Sequence, residues 1–139
     1  METTPNQLIT QAARQHLREV RNRLLDLHKL LLDDERAVYE QLHGRISNNI
    51  MLQLLIGDER FAWLRRLSTL VVEIDELLAS KTPVMMEAAE NLTSATRRLL
   101  TFDDGDESFG QKYHAALQRQ PQTALLHEEV VNLLQENSA

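Results

Sequence analysis

Apolar residues recur by threes and fours along most of this chain, and long stretches run without glycine or proline. Over residues 5–43 the stripe reads Ile9, Ala13, Leu17, Val20, Leu24, Leu27, Leu31, Val38 and Leu42, one seam on one long helix. At about 1.5 Å per residue such a helix exceeds roughly 50 Å. Thr3 or Thr4 is placed to cap it, Pro5 suits its first turn, and Gly44 supplies the stop. A second segment, 46–80, matches the first in length and is interrupted near Gly57. Within it, residues 58–78 carry the only tryptophan and the densest apolar content. Phe61, Trp63, Leu64, Leu67, Leu70, Val71, Ile74, Leu77 and Leu78 cover an arc of roughly 200°, as expected of a helix packed on two neighbours. Asp58 is its expected N-cap.

Two long segments joined by a short connection at Gly44 and Arg45 predict an antiparallel hairpin. Thr82 and Pro83 open a third helix running to about Thr101, with Met85, Ala88, Leu92, Ala95 and Leu99 facing inward. Residues 102–107 read as a loop. Ser108 caps a last helical region with Phe109, Tyr113, Ala116 and Leu117, broken at Pro121 and continued by Leu125, Leu126, Val130, Leu133 and Leu134. The fold class that follows is all-α, an up-and-down helical bundle built on a long antiparallel helical hairpin. The whole chain, 1–139, is expected to form a single domain, with residues 1–5 and 137–139 loose.

Composition narrows the function. Hydrophobic residues make up 42% and charged ones 26%, an ordinary globular balance, and the four glycines and three prolines leave room for few connections. The absence of cysteine excludes a disulfide scaffold and thiol chemistry. A net charge of −6 opposes nonspecific attraction to nucleic acid or anionic membrane. No apolar run approaches the ~20 residues of a membrane span, and the polar start lacks a signal-peptide pattern, so the expected location is cytoplasmic.

The candidate chemistry is a polar group among apolar positions. Ser68 and Asp75 fall inside the apolar arc of the second segment, and Glu35 within the stripe of the first, with His28 and Tyr39 along its edge. In an antiparallel hairpin these faces approach, so a buried His28–Asp75 contact is expected, either as a register-setting pair or, with Glu35, Tyr39, Trp63 and Ser68, as a ligand or metal site. No catalytic residue is assigned. A di-metal carboxylate bundle needs two Glu-x-x-His pairs and two further Glu; the chain offers one, Glu40 and His43 at a helix end. The acidic loop at Asp103, Asp104, Asp106 and Glu107 lacks EF-hand spacing and reads as a solvated turn. No Gly-x-Ser-x-Gly elbow or phosphate loop occurs. Arg14, Arg18, Arg21, Arg23, Arg65, Arg66, Arg97 and Arg98 lie near carboxylates and read as surface charge networks.

The residues LHKLLLDDERAVYEQLHGRI and LLIGDERFAWLRRLSTLVVEIDELL resemble a group of small bacterial all-helical proteins with a Phe-Ala-Trp-Leu, Leu-Ser and Ile-Asp-Glu core pattern. The matching positions are His28, Glu35, Arg36, Tyr39, Glu40, Phe61, Trp63, Ser68, Asp75 and Glu76, within the first 80 residues or so. The resemblance implies a bacterial source and no known activity. The leading expectation is therefore a non-enzymatic module acting by self-association or protein-partner binding, with no cofactor and with Leu25, Leu32, Leu52 and Val72 as apolar residues off the main stripes. The rival is a small-molecule or metal-binding bundle; a nucleic-acid role for the arginines is opposed by the acidic balance.

Overall fold

A computed structural model of the chain describes residues 7–136. The expected caps at Thr3 and Thr4, the first-turn Pro5 and the loose ends lie outside the described residues. Within them run seven helices and no strand: α1 (Gln11–His43), α2 (Asn48–Gly57), α3 (Glu59–Ala62), α4 (Arg65–Leu78), α5 (Met86–Leu100), α6 (Glu107–Arg119) and α7 (Pro121–Gln135). Among the described residues no helix is long and apolar enough to cross a membrane.

The 33-residue α1 is the spine. Thr10 caps it by accepting from the Ala13 amide, and Gly44, at φ +83°, ends it where a side chain would be strained. Its seam of Ala13, Leu17, Val20, Leu24, Leu27 and Leu31 is buried essentially completely. Each such leucine contributes about 2 kcal/mol by leaving water. Contacts of α1 with α3 and α4 run in opposite chain directions: Arg14 reaches the Leu78 carbonyl (3.4 Å) and Arg21 pairs with Asp75 on α4, and Tyr39 meets Phe61 on α3. The antiparallel hairpin is thus present. α7 lies antiparallel on another flank of α1, with His16 at Leu133 and Asp34 at Gln120. α5 packs on α4 and α7, and α6 folds back on α7.

The expected continuous helix over 58–78 is interrupted. Asp58 does cap, accepting from the Arg60 amide at 2.8 Å, but the chain tightens at residues 62–64 through three-residue turns, Leu64 N to Phe61 O and Arg66 N to Trp63 O. A straight helix would hold Phe61 and Trp63 about 200° apart. The tighter turn lets both be buried, together with Leu64.

α5 starts later than expected and is rotated by about one residue. Met86, Ala89, Thr96, Leu99 and Leu100 are buried, Leu92 and Ala95 half-buried, and Met85 and Ala88 exposed. Two backbone bonds explain the phase: Ile9 N donates to Val84 O (2.9 Å) and Met86 N to Gln7 O (2.7 Å), an antiparallel bridge that turns Met85 outward. Thr82 does not cap; it bonds with Ser80. α6 is capped by Asp106 rather than Ser108, and at the expected break Pro121 takes the first turn of α7.

Candidate functional site

The structure places the six sequence candidates in different surroundings. Asp75 meets Arg21, not His28, and both partners are about one-third to one-half exposed. Ser68 donates to the Arg65 carbonyl of its own helix at 3.2 Å. Tyr39 lies against His43 and Phe61, with the Arg60 guanidinium 5.7 Å from its ring centre. Trp63 is buried edge-on to Phe109, and its Nε1–H has no acceptor among the described residues. Burial lowers the His28 pKa below its ordinary value, and burial raises that of Glu35 against the opposing pull of Arg119. The His28–Asp75 contact is replaced because Arg21, seven residues or about two turns nearer the N-terminus of α1, is the side chain level with Asp75 in the antiparallel pair. Glu40 accepts from the Ile46 amide (2.9 Å) and lies 3.6 Å from Arg36, so its carboxylate organises the chain reversal after α1. Among the described residues no group of three or more His, Cys, Asp or Glu side chains is arranged to hold a metal.

Two buried titratable side chains were missed in the sequence. Asp34, 5% exposed at its side chain, accepts from Arg119 Nε (3.2 Å) and Nη2 (2.5 Å) and from the side-chain Nε2 of Gln120 (3.2 Å). Glu35 stands 3.8 Å from the same Arg119. The signal was there, because Asp34 continues the spacing of Leu24, Leu27 and Leu31 at the next inward position. His16 is also buried and donates through Nε2 to the Leu133 carbonyl at 2.8 Å, fixing α1 against α7. These groups lock helices together.

The surface that stands out is α2. It buries only Met51, with Leu54 and Leu55 half-buried against the core. Ile50, Leu52 and Ile56 are 44%, 57% and 70% exposed. Leu52 and Ile56, four residues apart, form one flank and Ile50 the other, with Asn49, Gln53 and Gly57 between them. Polar clamps hold its ends. Arg36 donates to the Ile46 carbonyl (2.7 Å) and Asn48 Oδ1 (3.1 Å) before the helix, and Arg65 donates to the carbonyls of Leu55 and Ile56 at its close. Such clamps satisfy the unpaired carbonyls of the last turn, so the helix is positioned without covering its apolar flanks. Residues 46–57 contain no charge at all. Of the off-stripe residues expected on the surface, Leu52, Val72 and Leu25 are exposed and Leu32 is half-buried.

Compared with known proteins, the chain matches no family model, no curated protein and no solved structure.

Proposed function

We propose that the protein is a non-enzymatic helical module that acts by self-association or protein-partner binding, with α2 as the contact face and a second copy as its occupant. One observation carries this: an apolar, uncharged helix is held at both ends by arginine clamps while Ile50, Leu52 and Ile56 stay in water. Exposed apolar surface of this kind favours association. On a chain of net charge −6, an uncharged face is where two copies approach without like-charge repulsion. Crossing α2 on itself about a two-fold axis brings Arg45 of one copy toward Glu59 of the other, and Asn49, Gln53 and Gly57 leave a shallow ridge for close approach.

Sedimentation equilibrium tests the reading. The native protein is expected to dimerise, and Leu52→Glu with Ile56→Glu to give a monomer of native helical content, because neither side chain is in the core. A native protein that stays monomeric throughout the micromolar range overturns self-association, as does a dimer that survives both substitutions.

A further inference from the structure

α5 ends in a Schellman turn: the Phe102 amide donates to Leu99 O (3.4 Å) and the Asp103 amide to Arg98 O (2.8 Å). The residue at the centre of that turn must take a left-handed conformation, and glycine is the usual choice. Here it is Phe102, at φ +64°, and it is the one non-glycine residue with positive φ among those described. Holding a phenylalanine there costs about 1 kcal/mol or more. The ring is not repaid by burial, since it is 47% exposed.

The ring is nonetheless oriented. It leans on Tyr113 and His127, whose side chains share a 2.6 Å hydrogen bond, and it meets the His114 ring nearly at right angles (79°, centroids 6.1 Å apart). Gly110 leaves room beneath it: a Cβ added there would come within 3.4 Å of Phe102 Cδ1. The two rings wall a cavity of about 390 Å³ whose rim includes Asp106 and Glu107. Arg66 occupies Asp104 and Asp106, at 2.7 and 2.5 Å, and holds the loop to α4. The Glu107 carboxylate has no ion-pair or hydrogen-bond partner among the described residues. An aromatic corner presents the negative faces of its rings, and a free carboxylate beside it supplies a counter-charge; a diffuse positive charge with an apolar shell fits both.

We propose that this cavity binds a small organic cation of the alkylammonium class, seated on the Phe102 face with Glu107 balancing its charge. The strained phenylalanine is then the means by which the loop presents an aromatic face that glycine would not supply.

Choline is the probe and 3,3-dimethylbutan-1-ol, its neutral carbon analogue, the control, each titrated into the full-length protein while amide and aromatic NMR shifts are followed. Saturable choline shifts confined to residues around Phe102, Glu107 and His114 are expected, with the alcohol binding about fivefold more weakly or worse. Phe102→Gly removes the ring while suiting the backbone turn, and Glu107→Gln removes only the charge, so both should fold as the native protein does and each should weaken choline by about fivefold or more. Equal binding of choline and the alcohol, unchanged choline affinity in Phe102→Gly, or shifts that do not saturate by about 30 mM overturn the proposal.

Discussion

At the scale of single residues, the Asp34–Arg119 pair shows how burial makes the two partners of one bond unequal. Asp34 is enclosed, whereas the Arg119 side chain is 41% exposed. Removing Asp34 lets the guanidinium turn to water; removing Arg119 leaves a buried carboxylate with only the Gln120 side-chain amide. Arg119→Ala should therefore cost about 2–3 kcal/mol and Asp34→Ala about 1 kcal/mol, measured by urea unfolding. A larger loss from Asp34→Ala would show that packing, not charge, sets the value of the site. Helical spacing put Ser68 and Asp75 among the apolar positions, where they are only half-buried, and it passed over Asp34 and every partner. Asp34 is bonded by residues 85 and 86 positions away, and Asp75 by one 54 positions away. Separations of that size carry no local periodicity.

At the scale of helices, α1 and α2 show two ways of holding an element. α1 is fixed by its buried seam; α2 depends on polar contacts at its ends. Its stability should accordingly respond to a residue outside it. Arg65→Met is expected to speed amide exchange across α2 about 5–10-fold, the loss of roughly one net hydrogen bond, while the global unfolding transition stays in place. Uniform acceleration across all helices would instead make Arg65 part of the common core. α5 gives the complementary lesson. Helical spacing assigned Met85, Ala88, Leu92, Ala95 and Leu99 to the inward face, and the bridge between Leu8 and Met85 shifted that face by about one residue.

At the scale of the molecule, the bundle buries titratable groups whose effects on stability have opposite signs. Burial lowers the folded-state pKa of His28 and of His127, the latter partly offset by Glu128. Their contribution is fully present above the unfolded value of about 6.5 and is lost as pH falls below it. Glu35, raised chiefly by burial, acts the other way: its charged form is penalised in the fold, so stability declines as pH rises through its titration. Melting temperatures followed from pH 4 to 8 should show Glu35→Gln stabilised at pH 7 but not at pH 4, and a His28→Gln, His127→Gln variant with a shallower loss between pH 6.5 and 5. A gain from Glu35→Gln that persists at pH 4 would assign the effect to packing instead.

The sequence alone determined the all-α class, the α1 seam, the stops at Gly44 and Pro121, the Asp58 cap and the loop before α6, because each rests on backbone geometry or on the 3.6-residue period within one segment. Only the tertiary structure decided that the helix tightens into a turn around Trp63, that Asp75 meets Arg21, that α2 stays uncovered and that Phe102 stands over a cavity. Those outcomes depend on which faces meet across the bundle, and that is settled by packing between segments remote in the chain.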